Sequence, residues 1–386
     1  MIAPNTAFTS DDAHWMAQAL ELARSVTYLT SPNPRVGCVI VHDGRVLGQG
    51  ATRAAGGAHA EVMALQQARE RGHAVQGATV YVTLEPCSHH GRTPPCVDAL
   101  VQARPARVVV AMSDPNPLVS NRGLACLRDA GIHVDVGLMA EQALDINPGF
   151  VARMVRGRPW VWVKLAASLD GYIALPDGES KWITGAAARA DGHHWRARSC
   201  VVLTGLGTVN ADDPLLNVRD VDTVRQPVRA IVDTRFEVLE SARILDGGRV
   251  WVFTCRDDAA KASRLAQKNA EVVVLPGSGN GVDLHAMMEW MAARDINEVH
   301  VEAGSRLSGG LLDAGLADEL LVYMAPALLG HGIAMAGIQP LESLARAQRF
   351  EFIETAPVGN DVRLRLRDPR HWQTLCQAAG LPASAS

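Results

Sequence analysis

Short apolar runs of strand length alternate with stretches of helical periodicity along most of the chain. That alternation confines the fold to an α/β arrangement. An amphipathic helix is predicted first, with Trp15, Met16, Ala19, Leu20, Leu22, Ala23 and Val26 on its apolar stripe and Ser10 as its cap. Val36–Val41 and Arg45–Gly50 flank Asp43-Gly44, the signal of a tight hairpin. His59–Arg71 is helical, and Ala78–Leu84 (ATVYVTL) has the continuous apolar character of a buried strand. Strands at Arg107–Met112 and His133–Val136 flank a helix around Gly123–Ala130, so a mainly parallel sheet covered on both faces is expected.

A second start follows Gly157-Arg158-Pro159. Strands are predicted at Trp160–Ala166, Val201–Thr204, Val228–Asp233, Arg249–Phe253, Glu271–Leu275, Asn297–Glu302 and Glu319–Ala325, with a helix over Ala186–Arg198. At roughly 150 residues per domain, 386 residues make two domains the natural expectation. The boundaries read as 1–156, 157–379 and a disordered tail at 380–386.

The chain is 48% hydrophobic and 20% charged, which excludes a disordered or fibrous protein. Its net charge of −4 supplies no basic field for a phosphate backbone, so no nucleic-acid partner is expected. The most apolar stretch, Leu320–Ile338, is broken by Pro326, Gly330, His331 and Gly332, so no membrane span is expected. The first residues lack a basic flank and an apolar core, and seven scattered cysteines do not form a disulfide framework. A cytoplasmic protein is the expectation.

The sharpest chemical signal is His59-Ala60-Glu61 together with Pro86-Cys87 and Cys96. One imidazole and two thiols suit zinc, and three protein ligands leave a fourth tetrahedral position for water, the catalytic arrangement. Bound zinc lowers the pKa of that water to about 7, and Glu61 would carry its proton. His59 and Glu61 are about 200° apart on a helix, so they converge only if His59 stands at or before the first turn. Cys87, after a strand, would suit a helix N-terminus, which favours thiolate. The pattern follows the H-x-E…P-C-x-x-C signature of zinc deaminases except in its spacing. Eight residues separate Cys87 from Cys96, and His89 and His90 among them remain rival third ligands on arithmetic alone.

The run LEPCSHHGRTPPC (Leu84–Cys96), with Asn33-Pro34-Arg35-Val36-Gly37 and His59-Ala60-Glu61, resembles the bifunctional deaminase/reductase family of riboflavin biosynthesis. The second half carries matching motifs: KLAASLDG (Lys164–Gly171), GESKWIT (Gly178–Thr184), ADDP (Ala211–Pro214) and VEAGSRLSGGLLDAGLADEL (Val301–Leu320). The resemblance implies a cytidine-deaminase-like α/β/α domain followed by a dihydrofolate-reductase-like α/β domain. It implies one catalytic zinc on His59, Cys87 and Cys96 with Glu61 as proton shuttle, and NADPH as the second cofactor. The substrate it implies is a small phosphoribosylated pyrimidine, deaminated first and then reduced in its ribosyl chain. Asn33 offers an amide for the pyrimidine edge, and His90 and Arg92 offer donors for the sugar phosphate.

The second half lacks both the dinucleotide fingerprint and the phosphate loop of triphosphate hydrolases. Thr208-Val209-Asn210 follows Gly205-Leu206-Gly207, and Gly310-Leu311 stands where Lys-Ser/Thr would be required. Glu302 ends a strand just before a glycine-bearing helix start that could hold a pyrophosphate. The resemblance assigns the NADPH site to Ala166, Trp182, Thr208, Asp212, Thr234 and the run Gly304, Ser305, Arg306, Leu307, Ser308, Gly309 and Gly310. It assigns the sugar-phosphate site to Ser180, Arg196, Leu216, Arg219 and Glu302. Lys164 and Asp170 stand on the first strand and its turn without an assigned role. A homo-oligomer is expected.

Overall fold

The computed structural model describes residues 8–88, 94–116, 120–277, 279 and 281–381. Contacts divide the chain into two compact units, Met1–Arg156 with Gln373–Ser386, and Gly157–Trp372. The first break falls between Arg156 and Gly157. The second falls inside the helix Pro369–Ala378, so residues 373–379 group with the first unit instead of the second. No turn or linker marks that point, because the helix runs through it unbroken. The expected tail lies outside the described residues from 382 onward.

The first unit opens with the helix Ser10–Ser25, capped by Thr9 and not by Ser10. Thr9 and Asp12 form a reciprocal capping box. Five strands follow: β1 (Gly37–His42), β2 (Arg45–Ala51), β3 (Thr79–Val82), β4 (Arg107–Val110) and β5 (His133–Val136). They form one sheet in the order β2-β1-β3-β4-β5. Positive φ at Asp43 (50°) and Gly44 (72°) makes the β1–β2 hairpin tight, as Asp-Gly predicts. β1 pairs antiparallel with β2 and with β3, while the β3–β4 and β4–β5 pairings are parallel. The sheet is therefore mixed where a mainly parallel one is expected: one strand, β1, opposes the rest and sits between β2 and β3. The hairpin reverses the chain before the helix Ala60–Glu70 carries it across, so β3 runs with β2 and against β1.

Close packing needs the glycines on these strands. A Cβ on Gly37 would lie 1.9 Å from the Ala19 carbonyl oxygen, and one on Gly48 would lie 2.2 Å from that of Ala64. Gly50 faces the helix Ala60–Glu70 and pairs with Cys38, next to Gly37, so the two helices cover opposite faces.

The second unit contains β6 (Trp160–Ser168), β7 (Tyr172–Ala174), β8 (Val201–Gly205), β9 (Val228–Val232), β10 (Val250–Thr254), β11 (Ala270–Val274), β12 (Glu298–Glu302), β13 (Glu319–Ala325), β14 (Ile333–Ala334), β15 (Glu351–Val358) and β16 (Asp361–Arg367). Nine of them form a sheet in the order β11-β10-β9-β8-β12-β6-β13-β16-β15, while β14 pairs with β7. From β11 to β13 every pairing is parallel, and the β15–β16 hairpin adds antiparallel strands at one edge. The parallel strands are apolar on both sides. Val161, Val163 and Leu165 pack with Val299, Val301, Met287 and Leu311 in one cluster, and Val202, Ile231 and Val252 lie in another.

Candidate active sites

The first site is built where the helix Ala60–Glu70 begins. His59 is its N-cap, extended at φ −78° and ψ 167°, and Glu61 lies in the first turn. This resolves the angular conflict, because the imidazole leaves the chain before the helical rotation starts. Gly48 and Gly50 let the helix lie close against β2 and so fix where His59 stands.

Cys96 is the first residue of the helix Cys96–Ala103, and its backbone N–H donates to the Cys87 Sγ at 3.3 Å. The helix N-terminus expected at Cys87 thus belongs to Cys96, and Cys87 faces it from the preceding loop. The His59 Nδ1 lies 3.3 Å from the Cys96 Sγ and 3.6 Å from the Cys87 Sγ. All three donor atoms fall within 4.8 Å of one another. Donors around a tetrahedral zinc stand about 3.5–3.8 Å apart, so this set fits the ion's size as well as its chemistry. His90 and Arg92 lie outside the described residues, as does the rival ligand His89. Asn33 ends the turn before β1, its N–H donating to the Thr30 carbonyl at 2.9 Å.

The electrostatics suit a proton carrier. Burial, and then the nearby Cys87, push the Glu61 carboxyl up to about 7. The hydrogen bond from Cys96 pulls the Cys87 thiol down to about 4, while Cys96 is pushed up. The hydrogen bond with Cys87 raises the His59 imidazole. Behind them lies Glu85, which residue reading missed. Its carboxylate accepts the N–H groups of Asp114, Asn121, Gly123 and Leu124 and so ties the loop of Cys87 to the helix Arg122–Asp129. Glu85 stands in an apolar strand ending, and that lone charge was the available signal.

The second site is a cleft of about 1330 Å³ at the C-terminal ends of the parallel strands. Ala166, Ser180, Trp182, Arg196, Thr208, Asp212, Leu216, Arg219, Thr234, Glu302, Gly304, Ser305, Arg306, Leu307 and Gly310 all line it. Ser308 and Gly309 do not. Both are on the buried side of the helix Ser305–Asp313, and a Cβ on Gly309 would lie 2.2 Å from the Gly337 carbonyl oxygen. The structure thus gives both a packing role, not a place on the cleft surface. The Gly304 N–H, one of the amides offered for a pyrophosphate, donates instead to the Thr208 Oγ1 at 3.1 Å.

On the cleft floor Arg196 grips Glu302 through Nε to Oε1 and through Nη2 to Oε2, the latter at 2.9 Å. Burial works to raise the Glu302 carboxyl, but Arg196 outweighs it and holds the group ionised. Lys164 stands beside Glu302 in the β6–β12 register, and burial pushes its ammonium down. A lone lysine in WVWVKLAAS was its signal. Asp170 does not line the cleft; it accepts the N–H groups of Leu329 and Gly330 and holds that turn. Trp182 is exposed, with the Arg189 guanidinium 4.2 Å above its ring.

Both halves of the chain match known proteins. Residues 9–112 match the cytidine and deoxycytidylate deaminase zinc-binding region, and residues 159–364 match the RibD C-terminal domain. The chain is 46% identical over 369 residues to riboflavin biosynthesis protein RibD of Escherichia coli, covering 92% of this chain and 99% of that one. Against the Haemophilus influenzae protein of the same name it is 42% identical, covering 92% and 97%. Acinetobacter baumannii RibD superposes with a TM-score of 0.84 at 44% identity, covering 92% of this chain and 98% of that one. A Thermotoga maritima diaminohydroxyphosphoribosylaminopyrimidine deaminase/5-amino-6-(5-phosphoribosylamino)uracil reductase superposes equally, at 0.84 with 33% identity and the same two coverages. The chain belongs to the RibD family, the zinc-dependent deaminases and NADPH-dependent reductases of riboflavin biosynthesis.

Proposed function

We propose that residues 1–156 form the deaminase and that the following domain forms the reductase. The first acts on 2,5-diamino-6-(5-phosphoribosylamino)pyrimidin-4(3H)-one, and the second yields 5-amino-6-(5-phosphoribitylamino)uracil. The observation that carries this reading is the convergence of His59, Cys87 and Cys96 beside the buried Glu61. His59, Cys87 and Cys96 would hold zinc, which supplies a nucleophilic hydroxide at neutral pH. Glu61 takes the proton released by that water and delivers it to the departing ammonia, a task suited to a carboxyl near 7. The Cys96 N–H steadies the Cys87 thiolate, and Asn33 reads the pyrimidine edge. His90 and Arg92 bind the phosphate.

The cleft would hold NADPH, which would supply hydride to the ribosyl C1′ as the bond from C1′ to the ring oxygen opens and that oxygen takes a proton from solvent. Ala166, Trp182, Thr208, Asp212, Thr234 and the turn from Gly304 hold the cofactor. Ser180, Leu216 and Arg219 receive the sugar phosphate, Arg196 fixes Glu302, and Glu302 accepts from ribosyl hydroxyls. No helix among the described residues is long and apolar enough to cross a membrane. We place the enzyme in the cytoplasm, acting on a small molecule without nucleic acid. Assembly into a homo-oligomer is supported by Phe352 and Ile353, exposed on the edge strand β15. The test is a paired assay with the diaminopyrimidine phosphate. Ammonia release without NADPH, and NADPH oxidation only after deamination, support the reading; ammonia release from single-stranded DNA or tRNA instead would overturn it.

A further inference from the structure

β12 carries His300 and Glu302 two residues apart, so both side chains leave the same face of the strand. Glu302 lines the cleft floor. His300 lies one step deeper and is wholly buried, with its Nε2 3.4 Å from the Glu302 Oε1. Neither ring nitrogen has a hydrogen-bond partner among the described residues, and the 3.4 Å approach of Nε2 to the carboxylate stops short of closing one. Natural cores seldom seal in a polar ring without a reason, and the Glu302 carboxylate set against it supplies one. Burial works to keep the ring neutral, and a neutral imidazole has a single N–H to donate.

Each carboxylate oxygen has two lone pairs. Arg196 takes one on each, through Nε and Nη2. An N–H on the imidazole, already 3.4 Å from Oε1, would take the second lone pair of that oxygen on a small closure, which leaves Oε2 with one lone pair that neither Arg196 nor His300 takes. We propose that His300 is a positioning residue that fixes Glu302 so that Oε2 alone is offered to a hydroxyl of the ribosyl chain. This rests on the reading of Glu302 as the ribosyl contact.

The test compares H300V, which removes the donor, with H300Q, which returns an N–H at similar reach. Steady-state kinetics use the deaminated substrate with saturating NADPH, and NADPH affinity is measured separately by fluorescence titration without substrate. H300V is expected to raise KM for the substrate roughly tenfold, with kcat within about threefold and NADPH affinity unchanged. H300Q is expected to restore KM to within about threefold of the parent. A normal KM in H300V, equal defects in H300V and H300Q, or a loss of NADPH affinity parallel to the rise in KM would overturn the proposal. If H300V fails to fold, H300N replaces it: its shorter side chain should show the KM defect that H300Q lacks, and equal KM values would contradict it. E302Q separates the two readings. A normal reductase in E302Q sinks the role of Glu302 itself, whereas an impaired E302Q beside a normal H300V sinks only that of His300.

Discussion

The Cys87 sulfur accepts the backbone N–H of Cys96 at 3.3 Å, across a nine-residue separation in sequence. The start of the helix Cys96–Ala103 thus faces the partner thiol as well as carrying its own, and its dipole favours negative charge there. Cys87→Ala is expected to strip the chain of zinc and abolish deamination. Reduction of supplied deaminated substrate should stay within about twofold, because the second site shares none of these residues. Metal analysis and the two separate assays check this.

Glu61 is buried and its carboxyl is pushed up to about 7, which suits a group that trades protons. Glu61→Gln keeps the shape and the three donor residues while removing the proton carrier. Deamination should fall about a thousandfold, with zinc content and reductase kcat unchanged. Loss of both activities together would contradict separate sites.

The two halves differ in how plainly the sequence announced them. The spacing of His59 and Glu61 already demanded that His59 precede the helix, and His59 is its N-cap. Alternating apolar runs marked most strands of both sheets. The β15–β16 hairpin went unread because Phe352 and Ile353 face solvent at an edge and break the alternation. Ser308 and Gly309 were placed with their cleft-lining neighbours because a linear motif does not say which residues of a helix turn inward. Lys164 stood out as a charge in an apolar strand, but its proximity to Glu302 is a matter of β6–β12 register, which the sequence does not carry.

Gly309 offers a check on that packing role. A methyl group there meets the Gly337 backbone, so Gly309→Ala should cost about 1–3 kcal/mol of stability in the second unit. Thermal unfolding should show it, while NADPH affinity of the folded enzyme should change by less than about twofold. A selective loss of NADPH affinity at unchanged stability would return Gly309 to the cofactor site.

Arg196 and Glu302 form a two-point pair that a lysine cannot reproduce. Arg196→Lys is expected to raise the reductase KM about tenfold to a hundredfold and to leave deamination untouched. Steady-state kinetics on each half-reaction decide it.

Asp12 links the first helix to the sheet. It accepts from the Arg107 Nη1 at 2.6 Å, the Tyr81 hydroxyl at 2.8 Å and the Thr9 N–H at 2.9 Å. Burial works to raise its carboxyl, but the Arg107 hydrogen bond with those of Thr9 and Tyr81 brings it down to about 2. A depressed carboxyl stabilises the fold fully above its unfolded value near 3.8, and that stability is lost as pH falls toward about 2. Asp12→Asn should therefore cost of order 1 kcal/mol at pH 7, the gap to the parent closing between about pH 4 and 2. Urea unfolding at several pH values measures it, and a gap that stays constant with pH would exclude the linkage.

The account turns on one ion seated by a nitrogen and two sulfurs. Zinc-edge X-ray absorption on the purified enzyme tests this most directly. It should find one zinc per chain with two sulfur neighbours near 2.3 Å and two nitrogen or oxygen neighbours near 2.0 Å. A chain without zinc, or a shell of four protein ligands with no place for water, would contradict it.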